Sequence, residues 1–290
     1  EAQTPPVVTI DSYNRFCING TPTFLIGTMN GDADDWQNFL KPAGFNFRFL
    51  GSTAAPGAHS VGLWEVPDVY ADPSAISTMR LDPYYLMWDL GWEIDYWLPH
   101  YTQWVGKDVD SIRLKRLDCT GYDGSPPRPV AACWGNAKRV QGSEHWGWQG
   151  YWTGYRQYFP HTDYMVVGDY SWGLEEQTVA HAVRMSTKPV IYMTRCYATP
   201  DPPEGTQPEP QVVARDIWLA AISGAKGVII DSFAGQDAYG DWYSWPYYTP
   251  SHWSAINKTC LELRQIESAL LATGPWVYYK TGTDYWVMYT

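Results

Sequence analysis

The chain has 290 residues, which suits one large domain, and a single α/β barrel typically has about this length. Its net charge of −11 leaves no basic surplus to neutralise phosphates, so nucleic acid is excluded as an expected partner. The sequence contains no apolar run of about 18 residues, and we therefore expect no membrane-spanning segment.

Segments with strand-like and helix-like patterns alternate along most of the chain. A hairpin is predicted at 7–18, strands at 23–27 and 45–50, a helix between them at 34–40, and a shortened strand at 62–66. The next strand begins at Tyr84 and leads into an acidic, indole-rich run that ends at Asp95. Further strands are predicted at 129–134, 164–170, 189–194 and 227–231, helices at 101–117, 148–159, 175–185, 212–222 and 254–271, and a final hairpin at 276–279 and 284–288.

This alternation predicts a (β/α)8 barrel whose lower end is closed by the N-terminal hairpin. A doubly wound open sheet would show the same alternation, but no G-x-G-x-x-G or P-loop motif opens any of the helices. We expect residues 1–274 to form the barrel with its hairpin, and residues 275–290 to form C-terminal strands packed on it.

Aromatic residues are unusually frequent, with 17 Trp and 22 Tyr. Their rings stack on the apolar faces of pyranose sugars, so carbohydrate is the predicted ligand, although large cores and protein interfaces also use them. The five cysteines show no C-x-x-C spacing and the histidines are scattered, so we expect no metal ion and no cofactor.

Two features favour secretion. The chain begins at Glu1 without Met, as a processed product would. N-glycosylation sequons begin at Asn19 and Asn257, although such triplets also arise by chance.

The second, fourth, sixth and seventh strand frames carry a resemblance to a known group of enzymes. The run W-D-L-G-W-E, which ends at Glu93, resembles the fourth strand of clan A glycoside hydrolases, typically W-x-L-x-N-E with the Glu as acid/base. The run that ends at Arg48 resembles the family's second-strand pattern G-x-N-x-x-R, with the Arg one place early. The run from Lys188 to Arg195 resembles the seventh strand, typically K-P-x-x-x-x-E. At Tyr170, after the sixth strand, that group often has a Tyr hydrogen-bonded to the nucleophile. The resemblance implies that Glu93 is the general acid and that Arg48 supports the nucleophile from below.

The chain departs from that family where the second catalytic carboxyl is expected. Trp92 replaces the family's Asn, and Thr194 or Arg195 stands where the nucleophilic Glu would end the seventh strand. An arginine stays protonated and cannot act as a nucleophile. Two strand ends nearby offer a base that could activate water for inversion. They are Asp231, which could instead form an ion pair with Arg195, and Asp169, which is followed by Tyr170.

The favoured function is hydrolysis of a polysaccharide or oligosaccharide, with Glu93 as acid, Asp231 or Asp169 as base, and Tyr170 beside them. Two alternatives remain open: a carbohydrate-binding barrel without catalysis, and a lyase that acts on uronates with Tyr170 as base. The two arginines also suit a sugar that bears carboxylate or sulfate. The predicted substrate-binding residues are Arg48, Asp89, Trp92, Trp134, Trp172, Arg195 and Trp242.

Overall fold

The computed structural model describes most of the chain. The described residues are 4–29, 31, 33–49, 61–91, 97–98, 103–104, 108–134, 157–169, 182–183, 186–196, 208–231, 234–236, 242–244, 249–273, 276–281 and 284–289.

Eight parallel strands form a closed barrel, which confirms the predicted fold class. Their bounds are β1 Leu25–Thr28, β2 Phe47–Phe49, β3 Trp64–Val66, β4 Trp88–Asp89, β5 Val130–Trp134, β6 Tyr164–Asp169, β7 Val190–Arg195 and β8 Gly227–Asp231. They pair in the order β3-β2-β1-β8-β7-β6-β5-β4. The residues that lead into β4 pair with β3, since Glu65 N donates to Tyr84 O at 2.7 Å and Leu86 N donates to Glu65 O at 2.9 Å. These bonds close the barrel.

Three long helices pack outside the described barrel: α1 Val109–Asp123, α2 Pro210–Ile222 and α3 Pro250–Gln265. Shorter helical segments are Ala33–Asp35, Trp36–Leu40, Pro73–Ala75, Ile76–Met79, Phe159–His161 and Glu267–Leu270. The helix predicted at 101–117 begins later than expected. Asp108 caps its N-terminus by accepting a hydrogen bond from Ser111 N at 2.6 Å, and Trp97–Leu98 and Gln103–Trp104 form a hairpin before it. The helix predicted at 148–159 lies mostly outside the described residues, as does the one at 175–185.

The N-terminal hairpin closes the lower end of the barrel, as predicted. Its strands are Val8–Ile10 and Phe16–Ile18, with Thr21–Pro22 added as a third. Phe16 packs edge-to-face on Tyr164 of β6, with ring centroids 5.4 Å apart, and shares one buried cluster with the barrel interior. The C-terminal hairpin, Trp276–Thr281 with Asp284–Tyr289, is also present. Its packing on the barrel stays a prediction.

Alternation along each strand decides which side chains enter the barrel. Interior side chains form one cluster, and the opposite faces of the same strands pack against the helices in two others. The interior cluster includes Leu25, Phe47, Phe49, Val66, Met87, Ala131, Cys133, Tyr164, Val166, Ile191, Met193 and Ile229. Gly27 must lack a side chain, because the Phe47 ring lies 2.4 Å from where its Cβ would be.

Candidate active site

Asp231 is the described carboxyl that best fits a catalytic position. It ends β8, and it alternates with Ile229, which belongs to the interior cluster, while Ile230 packs toward the helices. Asp231 is only 4% exposed to solvent. Active sites of (β/α)8 barrels lie at the C-terminal ends of the strands, so Asp231 lies on the interior side at the catalytic end. The strand register pairs it with Arg195 on β7.

Asp89 is a second carboxyl on the interior side, at the end of β4. Met87 belongs to the interior cluster and Trp88 to an outer one, so alternation places Asp89 inside. Asp89 is fully buried, and its Oδ2 accepts a hydrogen bond from Gly91 N at 3.1 Å. Burial, and next the Asp89 carboxylate, raises the pKa of Tyr164 well above its ordinary value. Asp89 therefore interacts with the backbone of Gly91 and with Tyr164 in the barrel interior. In this structure it has no surface exposed to a sugar.

Arg48 takes a different position from the one predicted for a cavity arginine. Phe47 and Phe49 face the interior, so Arg48 between them lies on the outer side of the barrel wall. Its Nη1 lies 3.7 Å from Oε1 of the fully buried Glu65 on β3. Burial, and next the Glu65 carboxylate, raises the pKa of the neighbouring Tyr85 to about 12. The arginine stands one place earlier than in the family pattern, and this shift moves it from the interior to the outer face of β2. Its binding of substrate stays a prediction.

Trp134 is likewise placed in the outer layer. It ends β5 with no exposed surface and packs edge-to-face on Tyr158, with ring centroids 6.2 Å apart. Cys133, one residue before it, faces the interior instead. In this structure Trp134 therefore belongs to the core, and its predicted contact with a sugar is untested.

The remaining predicted site residues are described in part or lie outside the described residues. Glu93, Trp92, Tyr170 and Trp172 lie outside them. For three others only the backbone is described, and the register pairs Asp169 with Thr194, Arg195 with Asp231, and Trp242 with Gln236.

A buried polar network on the outer side of β4 was not anticipated from the sequence. The indole N–H of Trp88 donates to Asp123 Oδ2 at 2.9 Å, and Arg128 Nη1 donates to Asp123 Oδ1 at 2.8 Å. The Arg128 guanidinium also lies 5.3 Å from the centre of the Trp88 ring. The only sequence signal was a pair of opposite charges that flank Pro126-Pro127 between α1 and β5. This network holds the strand that leads to Glu93.

Glu65 was also missed as a buried acid, although its position between Trp64 and Val66 in an apolar strand was visible.

In the part of the chain that the structure describes, no group of three His, Cys, Asp or Glu side chains is arranged to hold a metal ion. All five cysteines are buried, and none of them forms a disulfide bond. Among the described helices, none has the length and apolar character needed to cross a membrane.

Solved structures that match this fold include glycoside hydrolases. One described simply as a glycoside hydrolase matches with a TM-score of 0.58 and 13% identity, over 92% of this chain and 77% of that one. A glycoside hydrolase family 5 structure from Bacteroides vulgatus matches with a TM-score of 0.54 and 13% identity, over 87% of this chain and 70% of that one. Saccharomyces cerevisiae Gas2p, in complex with laminaripentaose, matches with a TM-score of 0.57 and 13% identity, over 89% of this chain and 69% of that one.

No protein-family model matches the sequence, and no curated protein matches it significantly. The structural matches establish the fold: the chain is a (β/α)8 barrel, and the glycoside hydrolases it matches share this fold. At 13% identity these matches show the fold and not the activity.

Proposed function

We propose that this protein is a glycoside hydrolase that cleaves a polysaccharide or oligosaccharide with inversion at the anomeric carbon. The observation that carries the proposal is the buried Asp231 carboxyl on the interior side of β8, at the catalytic end of the barrel. β4 and β8 lie four strands apart in both directions around the barrel, so their ends oppose each other. Glu93 follows β4, and carboxyls from opposite walls leave room for the water that inversion needs, at roughly 6.5–9.5 Å separation.

Each carboxyl has one role in this mechanism. Glu93 donates its proton to the glycosidic oxygen as the bond from the anomeric carbon to that oxygen breaks. Asp231 takes a proton from the water that attacks the anomeric carbon from the other face. Asp169 is the alternative base. Asp169 is in register with Thr194 and then with Ile230, a position on the face of the sheet that packs against the helices. Asp231 lies one residue further along β8, on the interior face. Because the substrate would bind on the interior side, this position favours Asp231 as the base.

Tryptophans in two hairpins support a carbohydrate substrate. Trp97 is paired directly with Trp104 in the hairpin that follows β4, and Trp242 is paired with Gln236 in the hairpin that follows β8. Directly opposed residues of an antiparallel pair share a face, so the backbone register puts Trp97 and Trp104 at the same position along the first hairpin. These hairpins belong to the loops that follow the two catalytic strands. We propose that they form an aromatic cleft for sugar rings, with Trp92 and Trp172 as further candidates.

Two finer parts of the proposal concern the substrate and the location. Arg195, beside Asp231 in register, suits a sugar that bears carboxylate or sulfate.

For secretion, the sequon at Asn19 lies in an exposed turn of the N-terminal sheet, whereas Thr259 of the second sequon is buried in α3. Asn19 is therefore the better candidate for glycosylation in a secreted protein.

The first experiment measures the release of reducing ends from laminaripentaose, β-1,4-galactan and uronate-containing oligosaccharides. We expect turnover of at least one of them, lowered by about 10²–10⁴-fold in Glu93→Gln and abolished in Asp231→Asn. Asp216→Asn is the matched control, because Asp216 is a buried carboxyl on α2, outside the barrel. Proton NMR of the fresh product gives its anomer. Formation of the retained anomer, or full activity of Asp231→Asn, would refute the inverting mechanism.

A carbohydrate-binding barrel without catalysis is the second candidate. It is favoured by one observation, the absence of an acid in the run Met193-Thr194-Arg195 at the end of β7, where related hydrolases carry the nucleophile. Binding of an oligosaccharide that is equally tight in the wild-type protein and in Glu93→Gln, without product from either, would establish this candidate.

A further inference from the structure

The end of β4 is hydrogen-bonded through its backbone to the chain on both sides of it. On one side, Asp89 N donates to Pro67 O at 3.0 Å and Val69 N donates to Asp89 O at 2.9 Å. On the other side, Leu90 N donates to Ala131 O at 2.7 Å and Cys133 N donates to Gly91 O at 3.1 Å. The backbone is therefore held up to Gly91, two residues before Glu93.

The Asp89 carboxylate completes this anchoring. Its Oδ2 accepts the hydrogen bond of Gly91 N at 3.1 Å, and the residue has no exposed surface. Gly91 has a φ of +131°, a conformation that side-chain-bearing residues rarely adopt. Glycine has the widest conformational freedom of any residue, so a bond to its N–H adds a restriction that the bond to its carbonyl oxygen does not supply.

We infer that Asp89 is a positioning residue, which sets the direction in which the chain leaves β4 and so places the carboxyl of Glu93 against the glycosidic oxygen. This inference rests on the proposed function. A fully buried carboxylate that bonds to the backbone acts through the chain that follows it, and the role of Asp89 in binding substrate stays a separate prediction. Without the carboxylate, Gly91 N–H loses its acceptor inside the protein and the turn relaxes.

The kinetic consequence is specific to proton donation. A displacement of about 1 Å in a catalytic group can lower the rate by about 10²-fold. A natural glycan has a poor leaving group and needs the proton from Glu93, whereas an aryl glycoside with an activated phenol needs it much less. Loss of Asp89 should therefore lower turnover of the glycan far more than turnover of the aryl glycoside. A loss of folded protein would lower both equally.

The experiment compares Asp89→Ala, Asp89→Asn and Gly91→Ala with the wild-type protein. Asparagine keeps an acceptor oxygen for Gly91 N–H, and Gly91→Ala disturbs the turn while the carboxylate remains. Asp163→Ala is the matched control, because Asp163 also accepts a backbone N–H, from Val130 at 3.0 Å, but does so at the opposite end of the barrel. Turnover is measured on the glycan and on an activated aryl glycoside. Hydrogen exchange by mass spectrometry is followed in a peptide that spans residues 86–96.

We expect Asp89→Ala and Gly91→Ala to lower turnover of the glycan by about 10²-fold, with a loss of only a few-fold on the aryl glycoside. Exchange in the 86–96 peptide should rise in both, Asp89→Asn should recover most of the activity, and Asp163→Ala should leave the ratio of the two rates unchanged. Equal losses on both substrates, or unchanged exchange in Asp89→Ala, would overturn the inference. If the wild-type protein hydrolyses nothing, the proposed function fails and the catalytic part of the inference fails with it. The exchange data still show whether Asp89 holds the turn.

Discussion

Removal of the Asp123 carboxylate should destabilise the protein strongly, because three buried donors depend on it: the Trp88 indole N–H, the Arg128 guanidinium and the Arg128 backbone N–H. Asp123 Oδ1 pairs with Arg128 at 2.8 Å, with side-chain exposures of 1% and 7%, and Asp123 Oδ2 accepts the indole N–H of Trp88. Burial already lowers the pKa of Arg128 from its ordinary value, and Asp123 is the main group that opposes this shift. In Asp123→Ala the guanidinium stays buried without its carboxylate.

The expected cost follows from the geometry of this pair. Breaking a buried ion pair on one side typically costs about 3–5 kcal/mol, and the indole N–H without a partner costs about 1–3 kcal/mol. The two effects share one carboxylate and do not add, so we expect a loss of about 4 kcal/mol in the free energy of unfolding. The exposed pair between Asp110 and Arg113 provides the control, for which Asp110→Ala should cost less than about 1 kcal/mol.

Urea denaturation followed by circular dichroism measures both variants. The double variant Asp123→Ala/Arg128→Met should recover a large part of the loss, because it leaves no buried charge unpaired. A loss below about 1 kcal/mol in Asp123→Ala, or a double variant less stable than Asp123→Ala, would refute this reasoning.

Three further predictions follow from buried groups. Gly27→Ala should lower the free energy of unfolding by about 1–3 kcal/mol, because its Cβ would overlap the Phe47 ring, and a melting temperature equal to the wild type would contradict this. Burial raises the pKa of Cys119 and of Cys260 to about 12, so a thiol reagent at pH 8 should react with neither until the protein unfolds. The pKa of Tyr85 is raised from 10.0 to about 12, so the unfolded state releases this proton first and stability should fall as pH rises from 10 to 12. Denaturation midpoints over that range test it, with Tyr85→Phe as the control.

The longer barrel strands were predictable because they are short apolar runs, whereas β2 and β3 each carry one charged residue, Arg48 and Glu65, between apolar ones. Strands β5 to β8 are buried on both faces, and such strands are nearly continuous in apolar residues. The N-terminal hairpin was predictable from the two short strand-like runs that flank Ser12-Tyr13-Asn14. The start of α1 was not, because the residues from Tyr101 onward have a helical pattern, whereas Gln103–Trp104 pair as a strand with Trp97–Leu98.

The candidate site was predictable in part. The position of Asp231 at a strand end followed from the sequence, since parallel strands of a barrel deliver their ends to one cavity. The sequence also indicated Arg48 and Trp134 at strand ends, but only the register shows that both lie on the outer side of the wall. A shift of one residue along a strand reverses the side of every side chain, and apolar neighbours on both faces conceal that shift.

By itself the sequence determined the order of elements, the barrel class and the acids that follow β4 and end β8, because these depend on local patterns of apolar and polar residues. Only the tertiary structure decided that β3 pairs with the segment before β4, that Arg48 meets Glu65, and that Asp123 joins Trp88 to Arg128. These contacts connect residues that are separated along the chain. Their partners are set by strand register and barrel closure, which no local pattern encodes.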